Sequence, residues 1–493
     1  MSILALSPAS LVPLARPAPV SRDLALDQGA RKARPQRGLE MTSGDGRAMN
    51  GSSAASPIFL LPLEIRQHIY AELLSSASCA NVHVLQVSRQ IYHEAQPYLF
   101  QRPVTFASQY DLYEWMRRRG SSQLHHVKCL GITVVDIKGH QRVKDVAPSG
   151  KDGSISPIAR LYEDEVGELS SAMQHLSGVR DLSIFKPRNS HYHAYRHFSR
   201  SFCAVSALRW PRLQRLSCQL DHVALDFLTS FPDLRSLRFS GFSATPPRET
   251  LQILSSLRRL DELELIGPPP GLFFQQRAGY TGPFIGQSLA PGVMRGLRPL
   301  RILTICDVRD PASTEGEVFF VTEMLAAIME SHGSSLRRLN LSADFTPSPT
   351  CLATLHGLLS ASELQHLELG WPDLESSTLQ HLPSSLRSLH VYLSPSLGPQ
   401  EAAGILVSAV QAFSSSSSFS STSTCSLPHL REVVFNLDGD MRERFGKSAI
   451  VVAALASLRA AGLRASVDTW APVPVKLSAG AGAGAGAVPI RDG

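Results

Sequence analysis

An apolar triplet recurs down most of this chain, and it constrains the fold more than any other feature. An aliphatic or aromatic residue is followed three positions on by a second and two further on by a third. The copies are Val127-Leu130-Ile132, Val179-Leu182-Ile184, Leu213-Leu216-Cys218, Leu234-Leu237-Phe239, Leu260-Leu263-Leu265, Leu300-Leu303-Ile305, Leu336-Leu339-Leu341, Leu364-Leu367-Leu369, Leu386-Leu389-Val391 and Leu430-Val433-Phe435. One such triplet in a Leu-rich chain means little, but ten in succession, spaced 21 to 52 residues apart, require a common cause. Residues two apart lie on one face of a strand, so the second and third members point inward from a short strand and the first sits on the turn entering it.

Each strand then needs a return path. His222–Phe231, Glu249–Leu257, Phe320–Gly333 and Cys351–Ala361 show helical periodicity between triplets. Strand, turn, helix, turn and strand give parallel strands, and stacked units share one core because none can bury its apolar face alone. The alternative is an ordinary α/β domain with Leu-rich strands. The repeat region runs over 121–470 and resembles an irregular leucine-rich-repeat array of the kind found in many F-box proteins. Regular arrays place Asn three residues after the last Leu. Here Asp221, Asp344, Asp438 and Ser394 can substitute, whereas Pro187, Pro268 and Pro372 cannot.

Ahead of the array, residues 57–120 are dense in apolar and aromatic groups. Leu60 to Leu74 reads LLPLEIRQHIYAELL, LQVSRQIYHEAQPYLF follows from Leu85, and a short extended piece comes after it. Pro62 suits a first helical turn, Glu64 favours its positive end, and Ile65, Ile69 and Leu73 recur on one helical face. Val87, Ile91 and Ala95 do the same on a second helix, flanked by Arg89 and His93. Two short helices bury little between them and must lean on a third element. The wording resembles the F-box-like domain common in fungal proteins, with Ser88 where that family often has Cys and Ile91 where an ordinary F-box often has Trp. The resemblance implies binding to the small Skp-type adaptor of a cullin-RING (SCF-type) ubiquitin ligase through Leu61, Pro62, Glu64, Ile65 and Ile69. Helices that only cap the array are the other reading.

The expected architecture is α/β: a short N-terminal helical F-box-like domain followed by a leucine-rich-repeat-like solenoid with a parallel sheet. Residues 1–56, rich in Pro, Gly, Ser and Ala, read as disordered. They resemble a transit peptide in lacking an acid before Asp23, but four prolines in the first nineteen residues oppose an amphipathic helix. The Gly-Ala tail 471–493 and the Ser-rich stretch Ser414 to Thr424 read as flexible.

Charge narrows the partners. The net charge is +6, and the first fifty residues hold seven Arg/Lys against four Asp/Glu, so half the excess is N-terminal. A nucleic-acid surface needs a more concentrated basic stripe, so nucleic acid is not expected. No apolar run reaches the ~18 residues of a membrane span, and Ala449 to Leu463, interrupted by Arg459, reads as a buried helix. The seven cysteines are widely spaced with no CxxC, which fits a reducing compartment, cytoplasmic or nuclear, and speaks against a disulfide framework.

Candidate chemistry is sparse. HYHAYRH, with His191, His193 and His197, has the i, i+4 spacing of zinc ligands but neither an HExxH Glu nor a nearby Cys, and reads as a polar loop. Glu163 to Glu168, EDEVGE, reads as a solvated helix start. Gly267 to Phe284 reads as a surface excursion packed by its own aromatics. No nucleophile elbow, P-loop or kinase set occurs, so no enzyme, cofactor or metal is expected. The strand face opposite the core is the natural binding surface of a solenoid: Asp181, Arg215, Arg238, Glu262, Glu264, Arg338, His366, Glu368, His390 and Glu432. Its mixed signs suit a protein target. A second set, Lys128, Arg180, Arg235, Arg301, Arg337, Arg387 and Arg431, follows the first apolar residue of its copy and reads as a solvated edge or a basic rim. The expected function is a non-enzymatic substrate-recruiting adaptor of the ligase. The alternative is an interaction scaffold that never engages it.

Overall fold

The computed structural model describes residues 57–75, 79–118, 124–135, 157–185, 192–218, 223–267, 286–307, 318–372, 374–392, 404–405, 427–437, 448–460 and 462–469. The expectations for 1–56, 414–424 and 471–493, and for nearly all of 267–284, lie outside them, as do Asp221, Asp438, Ser394, Pro187 and Pro268. The chain divides into two compact units, 1–60 and 61–493. The described part of the first is the 3-10 turn Pro57–Leu60; everything below concerns the second.

The second unit is α/β. Its strands are β1 (Val104–Phe106), β2 (Cys129–Thr133), β3 (Asp181–Phe185), β4 (Arg215–Cys218), β5 (Ser236–Phe239), β6 (Phe242–Ser243), β7 (Glu262–Ile266), β8 (Gly286–Gln287), β9 (Ile302–Asp307), β10 (Arg338–Ala343), β11 (His366–Gly370), β12 (Ser388–Tyr392), β13 (Glu432–Leu437) and β14 (Arg464–Thr469). Twelve of them form one sheet in chain order, omitting only β6 and β8, which pair antiparallel in a small second sheet. Every neighbouring pair in the large sheet is parallel. This is the order a stacked repeat produces, because each return segment delivers the chain to the next position in line.

All ten triplets fall as their spacing predicts. In the central strands Leu303, Leu339, Leu367 and Leu389 lie in register, as do Ile305, Leu341, Leu369 and Val391, and all eight are buried. The leading residues, such as Leu300, Leu336 and Leu364, are buried on the turns before the strands. Two strands of the large sheet carry no full triplet. β1 is the short extended piece expected after the second helix, and it pairs with β2. β14 ends the sheet with Ala465 and Val467, where Gly462 at φ +85 occupies the leading position.

The return segments are helical to different degrees. The helices are α1 (Leu63–Ser75), α2 (Arg89–Leu99), α3 (Gln109–Arg118), α4 (Pro157–His175), α5 (Tyr192–Arg209), α6 (Pro247–Ser256), α7 (Pro291–Gly296), α8 (Thr322–His332), α9 (Pro349–Ala361) and α10 (Ala449–Ala460). The segment 222–231 supplies only a 3-10 turn, Leu225–Ser230, for it must return the chain between copies just 21 residues apart. Met324, Leu325 and Ile328 of α8 and Leu355, Leu358 and Leu359 of α9 enter the same core as the strand leucines.

Several local expectations are corrected. EDEVGE lies in the middle of α4, not at its start, and Glu165 is buried because it turns inward to meet Tyr113. Most of HYHAYRH enters α5 instead of a loop; the side chains of its histidines lie outside the described residues. The helix α10 is buried on one side only, through Val451, Ala454, Leu455 and Leu458, while Ile450 and Val452 face outward. Asp307, buried at the end of β9, accepts at Oδ2 from the backbone N–H groups of Val318, Phe319 and Phe320 at 3.2, 2.8 and 3.0 Å. Cys129, Cys203, Cys218, Cys306 and Cys351 are free thiols.

Candidate functional site

Two surfaces qualify, one on the N-terminal helices and one on the sheet. In the helical pair the core takes a different face of α1 from the one its sequence suggests. Arg66, Tyr70 and Leu74, one helical turn apart, are the buried residues. Arg66 reaches Glu94 of α2 with a two-pronged contact, Nε to Oε2 at 2.9 Å and Nη2 to Oε1 at 2.8 Å, while Tyr70 donates its hydroxyl to the same carboxylate at 3.2 Å. The Arg66 guanidinium, and then Gln90 and Tyr70, hold the Glu94 carboxyl down at about 2 against the modest burial that opposes them. Arg66 also donates to the Leu61 carbonyl at 2.7 Å, tying the chain ahead of α1 to the clamp. Ser88 is the N-cap of α2, accepting from the Ile91 N–H at 3.1 Å, and Ile91 and Ala95 are buried as their spacing predicts. Val87 does not join them: it lies before the cap and is exposed.

The clamp turns the aliphatic stripe outward. Leu61, Ile65 and Leu73 are 37 %, 49 % and 41 % exposed, and Ile69 between them is half-buried. Spacing by four puts them on one side of the helix. Pro62, Leu63 and Glu64 are exposed beside them. Of the residues the family resemblance singles out, Leu61, Ile65 and Ile69 share this stripe, while Pro62 and Glu64 flank its start; Pro62 accepts the first helical bonds, from Ile65 and Arg66, both at 3.1 Å.

On the sheet, the face opposite the helices is made by the residues between the buried ones. Register sets them in rows. One row runs Asp181, Arg215, Ser236, Glu262, Ile302, Arg338, His366, Ser388 and Glu432. The next runs Ser183, Ser217, Arg238, Glu264, Thr304, Asn340, Glu368 and His390. Opposite charges therefore stand on adjacent strands, where cross-strand neighbours attract. Arg215 pairs with Asp181, Arg238 lies 3.2 Å from Glu264, and Asn340, which sequence reasoning missed, donates to Glu368 at 2.9 Å. Burial raises the Glu264 carboxyl, offset in part by Arg238, and burial likewise raises Glu368. Burial and then the Arg338 charge lower His366. At the first strands Cys129 donates its thiol to Asp181 at 3.0 Å, and burial pushes that thiol up to about 11, away from nucleophilic use. On β13 Glu432 is half-buried, while Val434 and Asn436 of the same face are buried.

An open cavity of about 380 Å³ lies between α3 and α4, lined by Tyr113, Met116, Arg117, Glu168, Ser171 and His175. The Tyr113 hydroxyl is committed to Glu165 at 2.9 Å, and burial raises both groups, so at neutral pH it supplies no phenolate. Among the described residues no cluster of three His, Cys, Asp or Glu could hold a metal, and no helix is long and apolar enough to cross a membrane. No protein-family model matches this chain, and no curated protein matches it by sequence.

Proposed function

We propose that this chain is a recruiting subunit without chemistry of its own, an F-box-like protein whose sheet is a leucine-rich-repeat array. In this reading α1 docks the Skp-type adaptor of a cullin-RING ubiquitin ligase, and the outer sheet face selects a protein target, through Arg215, Arg238, Glu262, Glu264, Arg338, His366, Glu368 and His390. The observation that carries it is the outward stripe Leu61, Ile65, Ile69 and Leu73, left uncovered while Arg66, Tyr70 and Leu74 turn inward and Arg66 pairs with Glu94. A contiguous apolar helix face left uncovered is the kind of surface a partner's groove receives. Catalysis would then be by proximity, since tethering a target beside the ligase raises its effective concentration.

The test is capture of a purified Skp-type adaptor by the full chain. Binding is expected, with a loss of about 10-fold or more for Ile65→Glu or Leu73→Glu, because a charge placed in a buried apolar contact costs well over one decade of affinity. A folded chain that captures nothing removes the reading. A scaffold that never meets the ligase is then the better account; the burial of Ile91, at a position where an ordinary F-box often has Trp, favours it.

A further inference from the structure

The edge at which the chain enters each strand is built as a fixed row. One residue stands there between the buried leading apolar residue and the strand, and its carbonyl accepts two N–H groups from the next copy. Arg180 O accepts from Gln214 and Arg215 at 2.7 and 3.0 Å, Arg301 O from Arg337 and Arg338 at 2.8 and 3.1 Å, and Arg387 O from Arg431 and Glu432 at 2.9 and 3.2 Å. The same pairing joins Arg235 to Asp261 and Glu262, both at 3.0 Å. This ladder spaces the Cα atoms at roughly 4.8 Å per strand. From Arg180 beside β3 to Arg431 beside β13 the sheet order counts eight steps, hence a rim of roughly 40 Å.

The rim's charges are unspent. Arg180, Arg235, Arg301, Arg387 and Arg431 are all exposed. Some other arginines of this unit have carboxylates, as Arg66 has Glu94, Arg215 has Asp181, Arg238 has Glu264, Arg259 has Asp233 and Arg295 has Glu330, while others, such as Arg89 and Arg117, stand without one among the described residues but belong to no such row. On the rim itself Arg337 has Glu363 at 2.6 Å. None of the five exposed arginines has a carboxylate within ion-pair distance among the described residues.

We propose that this rim binds an acidic segment of a partner protein, laid extended across the entry edge of the strands. Guanidinium forks take carboxylates two-pronged, and long arginine side chains tolerate the mismatch between the rim step and the roughly 6.6–7 Å repeat of same-side residues in an extended peptide. The row is broken by Gln214 and Gln365 and carries Asp261 near its middle. A nucleic-acid strand presents a phosphate at every step and meets Asp261 with repulsion; a peptide can set a neutral or basic residue there. The rim is a different surface from the α1 stripe, and its use does not depend on adaptor docking.

The test is fluorescence anisotropy of the full chain with a labelled peptide of alternating Glu and Ser, about twelve residues and so roughly 40 Å long when extended. Salt-sensitive binding is expected, weakened about 10-fold or more in R180Q/R235Q/R301Q/R387Q/R431Q and about 3-fold in R235Q/R301Q, which guards against a misfolded quintuple variant. Removing the same charge type elsewhere, R89Q/R117Q, is expected to change binding less than about 2-fold. Adaptor capture should be unaltered in the rim variants. Absence of peptide binding, equal losses in the control variant, or tighter binding of a DNA duplex of matched charge overturns the proposal.

Discussion

His332 decides how a single polar side chain can sit at zero exposure in an apolar core. Its Nδ1 accepts from the Leu300 N–H at 3.1 Å, which leaves Nε2 to donate to the Met294 carbonyl at 3.0 Å. Both bonds together require the neutral ring with its proton on Nε2. Burial lowers its pKa from 6.5, against the Met294 bond that raises it. The unfolded chain therefore binds the proton more readily, so the contribution of this residue is complete above about 6.5 and is lost as pH falls below it. His332→Ala strands a buried N–H and a buried carbonyl and should cost about 2–4 kcal/mol at pH 7.5 by urea denaturation. Between pH 6.5 and 5 the variant should lose less stability than the parent, and equal slopes would contradict the assigned tautomer. Nothing in the sequence marked His332, because helical periodicity says where a residue points and not which carbonyl waits there.

At the scale of elements, one carboxylate ties α1 to α2 beside the buried Tyr70, Leu74, Ile91 and Ala95. Glu94 is held near 2 in the folded pair, below its ordinary 4.5, so its stabilising contribution is present above about 4.5 and vanishes as pH falls toward 2. Protection of the α1 amides, taken relative to the intrinsic exchange rate at each pH, should fall as pH drops over that window in the parent, whereas Glu94→Gln should be less protected throughout and show little further change. A parent profile that is flat across the window would remove the clamp as the tie between these helices. The helices themselves were legible, since Pro62, Glu64 and the spacing of Ile65, Ile69 and Leu73 mark α1 correctly. Which face finds the core was not. The sequence offers two apolar sets a third of a turn apart, and a charged Arg66 reads as solvent-facing until Glu94, 28 residues on, is seen beside it. The same limit explains Glu165, whose inward turn depends on Tyr113 from α3. Strands fared better because a period of two has one apolar face and no such choice; β14 escaped because the Gly462-led end of the sheet lacks the leading aliphatic.

Taken whole, the sheet is a line in which each strand touches only its two neighbours, so stability should be a sum of local and nearest-neighbour contributions. Leu339 is the cleanest probe. It is fully buried in β10 and in register with Leu303 on one side and Leu367 on the other. Truncation to Ala leaves a cavity that neither rigid neighbour can fill, at a cost of about 2–5 kcal/mol. Val467 occupies the corresponding inward side of β14, yet it is half-buried and has one neighbour, with Phe435 across from it. Its truncation should cost about 1 kcal/mol. The spatial reach of the damage separates a stacked line from an ordinary globular core more sharply than the totals do. Amide exchange after Leu339→Ala should quicken in β9, β10 and β11 together, fading with distance along the sheet in both directions. After Val467→Ala it should quicken in β14 and β13 and leave β9 to β11 unchanged. Should the terminal truncation loosen the central strands as much as the central one does, the chain would be folding as a single indivisible unit, and the independence of entry rim, outer face and N-terminal helices on which separate binding surfaces rest would be lost with it.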